Sequence, residues 1–209
     1  MALSLSNDWR YQLKGQMQRV NASMRQLSNG AHKFPFIAAL LDDYNKAAAV
    51  AMGSVSARGG YPLIDFHGFD GDPDRWKALS PWTVAFKVGV DLDPDGGGMT
   101  QEALKSVWDG YADSTNIWQY EGGAQAALTT NPQRGVAGIL GGEALSYAKK
   151  VEEGGEGDYG KVPARPLFAA LNRAFREYLH EQLSNRYSPL YLEIQREVRK
   201  AGLWQYGKL

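Results

Sequence analysis

Hydrophobic residues recur at helical spacing near both ends of the chain. In residues 7–28 large apolar side chains return every three or four positions, at Trp9, Leu13, Met17, Val20, Met24 and Leu27. Such a stripe is typical of an amphipathic helix. The same spacing predicts helices over 35–56 and over 166–184, and a last helix that starts at Ser188-Pro189 and stops at Gly202.

A different pattern fills the middle of the chain. Residues 115–140 alternate between apolar and polar positions, which predicts short strands over 117–120, 126–129 and 136–140. We therefore expect an α+β fold in which a small antiparallel sheet packs against the long helix at 166–184, with N-terminal and C-terminal helical extensions. The expected organisation is an N-terminal helical segment, an α+β core domain and a C-terminal helix with its tail, over residues 1–60, 61–187 and 188–209.

Local signals place the shorter elements. Ser80 can cap a helix that begins at Pro81, and Thr100 can cap the next one. Residues 144–154 have the pattern of a short amphipathic helix. Pro163 and Pro166 favour extended backbone before them, so residues 161–165 should be strand-like, with Pro166 as the first residue of the following helix.

The chain carries no net charge, with 23 basic and 23 acidic residues among its 209, and this balance gives no sign of a nucleic-acid-binding protein. The charges are nevertheless uneven, because residues 60–121 sum to −7 and residues 161–209 to +5. Oppositely charged surfaces on one subunit suit head-to-tail assembly, although a chance distribution is an equal alternative. The chain has no cysteine and no apolar run of membrane-spanning length, so we expect no disulfide, no thiolate metal site and no membrane partner.

One loop has the spacing of a calcium site. Its candidate ligands fall at positions 1, 3, 5 and 12 of the loop, with glycine at position 6: Asp91, Asp93, Asp95, Glu102 and Gly96. Gly98 stands where such loops carry an apolar residue, and the chain has no second loop of this kind. The alternative is an Asp/Gly turn that precedes the Thr100 cap, and we prefer it.

The sequence offers little else for catalysis. His32, His67 and His180 lie in unrelated contexts, so no base–nucleophile pair can be argued, and the glycine-rich stretch at 135–142 lacks the Lys-Ser/Thr ending of a phosphate loop. We expect no catalytic, cofactor-binding or metal-binding residues and no enzyme activity. For Arg165 we predict a structural ion pair with Glu152 or Glu153.

Two stretches carry a resemblance to a known family. The upstream motif, residues 75–87, has the spacing W-x-x-L-S-x-x-T-x-x-x-K. The downstream motif, residues 148–168, reads A-x-x-V-E-x-G and then V-P-A-R-P-L-F. In this order they resemble the neck and tail-completion proteins of tailed bacteriophages, over roughly residues 70–185. The chain departs from that family between residues 88 and 100, where an Asp/Gly-rich insertion replaces a short hinge.

The resemblance implies a structural virion protein without enzyme activity. Such a protein forms a ring, most often a hexamer, that joins the head connector to the tail and lets DNA pass without reading its sequence. Its partners would be other copies of itself, head connector or portal-adaptor proteins, and tail terminator or tail tube proteins. It would be assembled in the host cytoplasm and reside in the phage neck. The alternatives are a tail terminator that caps the tail tube and, from another class, a calcium-dependent binding module that uses residues 91–102.

Overall fold

The computed structural model describes residues 35–91, 98–118, 123–157 and 160–200. Three predictions fall outside these residues: the helix over 7–28, the helix stop at Gly202, and the centre of the candidate calcium loop at 92–97.

The described residues form an α+β fold, as predicted. Their helices are α1 (Pro35–Gly53), α2 (Pro81–Lys87), α3 (Gln101–Tyr111), α4 (Gly123–Ala126), α5 (Gly142–Glu153), α6 (Phe168–Ser184) and α7 (Pro189–Lys200). Their strands pair into two antiparallel hairpins, β1 (Leu128–Asn131) with β2 (Val136–Ile139) and β3 (Gly155–Gly157) with β4 (Gly160–Val162). In the second hairpin Gly155 lies opposite Val162.

The helix starts follow the predicted local chemistry. Ser80 caps α2, Thr100 caps α3 and Ser188 caps α7. In each case the hydroxyl oxygen accepts a hydrogen bond from the backbone N–H three residues further on, at 3.1–3.2 Å. These bonds satisfy N–H groups that have no partner inside the helix.

The first predicted strand is wrong where the structure describes it. Ile117 and Trp118 lie in a turn, and each is only 1% exposed. Because both consecutive side chains are buried, this segment lacks the alternation of a half-buried strand. The predicted strand over 136–140 is present as β2. The one predicted over 126–129 is present as β1 but begins two residues later, because Ala126 ends α4. A 3-10 turn, Pro132–Arg134, joins the two strands.

Contacts divide the chain into two compact units. The larger unit comprises Leu40–Thr130 and Ala137–Glu181, and the smaller one Met1–Ala39, Asn131–Val136 and Gln182–Leu209. The domain boundaries expected at residues 60 and 188 stay a prediction.

Helices α1 and α6 pack together inside the larger unit. The Tyr44 hydroxyl donates to Asn172 Oδ1 at 2.9 Å, and the Tyr44 ring lies edge-on to Phe175 with centroids 5.7 Å apart. Gly138 of β2 lies beside the ring of Phe168 at the start of α6. Apolar side chains of α1 and α6, together with the one residue just before α6, are buried: Leu40, Leu41, Ala48, Ala51, Met52, Leu167, Ala170, Leu171 and Ala174.

The described part of the smaller unit is organised around α7. Leu190 is 2% exposed, and the Phe36 N–H donates to Glu193 Oε2 at 3.2 Å. The Ser188 hydroxyl donates to the carbonyl oxygen of Gln182. Asn185 directly follows the last residue of α6, as predicted.

Candidate functional site

The upstream motif forms one side of a buried junction in the larger unit. Trp76 is 1% exposed, and its backbone pairs with Gly60 through two hydrogen bonds of 2.8 and 3.1 Å. Leu79 is also buried, and its N–H donates to the Ala57 carbonyl oxygen at 2.8 Å. Gly59 has a φ of +78°, and a Cβ there would lie 2.6 Å from the Trp76 carbonyl oxygen. The backbone therefore passes Trp76 too closely for a side chain at residue 59.

The downstream motif forms the other side of this junction. After β4 the chain runs extended, as the two prolines predict, and the Arg165 N–H donates to the Val151 carbonyl oxygen at 2.8 Å. The Trp76 indole N–H donates to the Pro166 carbonyl oxygen at 3.2 Å. The two stretches that carry the family resemblance thus meet directly. We call the cluster of Trp76, Lys87, Glu152 and Arg165 the motif junction.

Arg165 is the buried cation of the downstream motif. It is 3% exposed, and its guanidinium donates to the carbonyl oxygens of Lys77, Ala78 and Pro163 at 3.1, 3.3 and 3.3 Å. Burial lowers the pKa of this guanidinium. The predicted ion pair with Glu152 or Glu153 is wrong, because the N–H groups of the planar guanidinium donate to main-chain oxygens of both motifs instead.

Glu152 instead caps the long helix. Its carboxylate accepts hydrogen bonds from the backbone N–H groups of Leu167, Phe168 and Ala169 at 2.7, 3.1 and 2.8 Å. These donors lie at the start of α6, where the helix dipole also favours a negative charge. The cap explains why α6 begins at Phe168, two residues later than the expected start at Pro166.

Lys87 is the half-buried cation of the upstream motif. Its ammonium donates to the carbonyl oxygens of Asn116 and Ile117 at 3.0 and 2.7 Å, and to the Tyr147 hydroxyl at 3.2 Å. Burial, and secondarily the Arg165 guanidinium, lowers the pKa of Lys87 from its usual 10.5 to about 7. The ammonium therefore ties the end of α2 to the 116–117 turn and to α5.

The described histidines pack against neighbouring side chains or lie at the surface. His67 Nε2 lies 3.2 Å from Asp43 Oδ2, and the His67 ring stacks on Tyr178 with centroids 4.5 Å apart. His180 is exposed on α6, and His32 lies outside the described residues. None of these contacts joins a histidine to a candidate nucleophile.

The acidic loops give no metal centre within the described residues, where no three His, Asp or Glu side chains come together in a way that could hold an ion. Asp91 and Glu102 are described and exposed, whereas Asp93 and Asp95 lie outside the described residues. Thr100 caps α3, as the turn interpretation requires. The calcium interpretation stays a prediction.

Sequence reasoning missed the role of Lys87 and the partners of Arg165. Lys87 carried a signal, because it is the final position of the upstream motif and the last residue of a short helix with apolar neighbours. The partners of Arg165 are main-chain oxygens some ninety positions away, at Lys77 and Ala78, and no side-chain pattern marks such oxygens. As a whole, the motif junction holds chain segments together and presents no described base–nucleophile pair.

Comparisons with protein-family models, curated proteins and solved structures find no match to this chain. Among the helices that the structure describes, none has the length and apolar character needed to cross a lipid bilayer.

Proposed function

We propose that this chain is a structural protein of a tailed-phage neck, where a ring of its copies joins the head connector to the tail and lets DNA pass. One observation carries the proposal. The two motifs that resemble neck and tail-completion proteins share one buried junction, where Trp76 and Arg165 make hydrogen bonds to residues 90 and 88 positions away in the other motif. A resemblance spread over unrelated parts of the fold would carry less weight.

The motif junction suits a protein that works through its shape. Main-chain oxygens from separate segments hold the buried Arg165 and the half-buried Lys87. Hydrogen bonds from a charged donor such as the Arg165 guanidinium are stronger than neutral ones and fix the geometry of the groups that they join. A ring subunit needs this rigidity, because an angular error at one contact repeats at every other contact around the ring.

Exposed apolar side chains supply surface for contacts with other proteins. Tyr61, Leu63 and Tyr187 are 70%, 60% and 87% exposed. Single exposed apolar residues are ordinary on soluble proteins, but aromatic ones are enriched where proteins bind each other. These residues therefore offer surface for contacts between subunits, while the proposal itself rests on the motif junction.

Electron microscopy of the purified protein tests the proposal. We expect closed rings with a central opening wide enough for duplex DNA, in calcium and in chelator alike. Particles that remain single subunits across a concentration series would contradict it. A subunit that changes its size or thermal stability with calcium, and loses this response in Asp91→Ala, would favour the binding module instead.

A further inference from the structure

One residue in the loop before Trp76 has a strained backbone. Asp72 has a φ of +48°, in the left-handed region, and among the described residues His67 is the one other non-glycine residue with a positive φ. Residues with a side chain rarely adopt this conformation, because the Cβ crowds the carbonyl group that follows it. The next residue is Pro73, so the strained residue supplies the carbonyl group of a tertiary amide.

Helix α6 holds the carbonyl oxygen of this amide. The Arg173 guanidinium donates through Nη2 to the Asp72 carbonyl oxygen at 2.9 Å and through Nε to the Gly71 carbonyl oxygen at 2.8 Å. Gly71 is buried against α6, where no Cβ would fit beside the Ala170 carbonyl oxygen. The Asp72 N–H donates to Asp70 Oδ1 at 3.0 Å. The loop can therefore relax the strained φ only by giving up these contacts.

We propose that the peptide bond between Asp72 and Pro73 is a self-cleavage site. This inference goes beyond the proposed function and does not depend on it. The nucleophile is the Asp72 side-chain carboxylate, which reaches its own main-chain carbonyl carbon by closing a small ring, so the attack is intramolecular. Arg173 donates to the oxygen that gains negative charge as this carbon becomes tetrahedral, which is the role of an oxyanion hole.

The reaction has two steps and consumes one water molecule. An oxygen of the Asp72 carboxylate bonds to the main-chain carbonyl carbon, the bond from this carbon to the Pro73 nitrogen breaks, and the nitrogen takes a proton from solvent. The products are a cyclic anhydride at Asp72 and a new amino terminus at Pro73. Water then opens the anhydride to two carboxyl groups, and no atom is oxidised or reduced in either step.

Contacts on both sides of the bond keep the cut chain assembled. The part before the cut contains Tyr44 of α1, whose hydroxyl donates to Asn172 of α6 in the part after it. The backbone of Gly60, also before the cut, pairs with that of Trp76 after it. Cleavage therefore frees two chain ends in the loop without releasing either part, and it changes this surface irreversibly.

The test is mass spectrometry of the purified protein after incubation in mildly acidic buffer, since the departing proline nitrogen needs a proton. Cleavage gives two products, residues 1–72 and residues 73–209, which should elute together in size exclusion under native conditions. We expect the rate at Asp72–Pro73 to be about tenfold or more higher in the folded protein than in urea, because only the fold holds Arg173 on the carbonyl oxygen. A rate that is equal or lower in the folded protein contradicts the proposal.

Three variants separate the nucleophile from the guanidinium. Asp72→Glu keeps the charge but has to close a larger ring, so the rate should fall about tenfold or more. Arg173→Met keeps the apolar stem and removes both donors, so the rate in the folded protein should also fall about tenfold or more. Arg176→Met, at an exposed arginine of the same helix, should cleave like wild type. Circular dichroism checks that each variant retains the fold.

The second Asp–Pro bond of the chain, Asp93–Pro94, is a reference within the same molecule. Its rate should be the same in wild type and in Arg173→Met. Cleavage at Asp72–Pro73 that keeps the wild-type rate in Arg173→Met, or that slows only as much as the reference bond does, contradicts the role of the guanidinium. Cleavage that persists at the wild-type rate in Asp72→Glu points to a contaminating protease and contradicts self-cleavage.

Discussion

The half-buried ammonium group of Lys87 should make the stability of the folded protein depend on pH. The pKa of Lys87 is about 7 in the folded protein, against 10.5 for an ordinary lysine. Between these values the unfolded chain holds the proton and the folded chain has released it, so the free energy of unfolding rises with pH. One pKa unit corresponds to about 1.36 kcal/mol, so the total rise is at most about 5 kcal/mol, of which about 2 kcal/mol falls between pH 7 and pH 9.

The assay is urea denaturation followed by the fluorescence of the buried Trp76 and Trp118, at several values between pH 6.5 and pH 9. Lys87→Met keeps the apolar stem and removes the titrating group, so its free energy of unfolding should lose the rise of the wild type. Lys105→Met, at an exposed lysine on α3, should retain it. Wild-type stability that stays level or falls across this range, or a Lys87→Met variant that keeps the wild-type slope, would contradict the lowered pKa of Lys87.

Three further substitutions test the packing around the motif junction and α6 by the same denaturation assay. Arg165→Met leaves three carbonyl oxygens without their buried donor and should lower the free energy of unfolding by about 3 kcal/mol or more. Arg176→Met, at an exposed arginine of α6, should lower it by less than about 0.5 kcal/mol. Equal losses in the two variants would contradict a stabilising role for the Arg165 hydrogen bonds. Glu152→Gln weakens the cap of α6 and should lower the free energy of unfolding by about 1–2 kcal/mol. An unchanged midpoint of urea denaturation would show that the charged cap is dispensable. Gly71→Ala puts a Cβ 2.1 Å from a carbonyl oxygen of α6 and should cost more than about 2 kcal/mol. Gly68 also has a positive φ but has open space around it, so Gly68→Ala should cost only about 1 kcal/mol from backbone strain. If Gly68→Ala and Gly71→Ala cost the same, backbone strain rather than the close contact with α6 explains both losses.

The elements that the sequence predicted well are those set by local chemistry. Ser80, Thr100 and Ser188 lie at the helix starts that they predicted, because a cap involves groups only three residues apart. The extended stretch before Pro166 is likewise a steric consequence of proline itself. The α+β class follows from these elements and from the two periodicities of the chain.

The predictions that failed depended on distant partners. Ile117 and Trp118 resemble a strand by composition, yet both are buried in a turn whose carbonyl oxygen is held by Lys87. Arg165 was expected to bind a nearby carboxylate, but Glu152 is committed to the N–H groups of α6. Sequence patterns show which residues are charged and apolar, but they do not show which main-chain oxygens a fold brings within reach.

The candidate site was therefore only partly predictable. The sequence singled out both motifs and their order, and the structure adds that Trp76 and Arg165 hold them together. The lowered pKa of Lys87 could not be predicted from the sequence, because it depends on burial that only the fold creates.

The mass of the purified protein in solution tests the neck proposal most directly. We would measure it by light scattering after size exclusion, with calcium and with chelator. The proposal predicts one discrete species whose mass is a fixed multiple of the 23.0 kDa chain and does not depend on calcium. A single-chain species at every concentration, or a mass that changes with calcium, would contradict it.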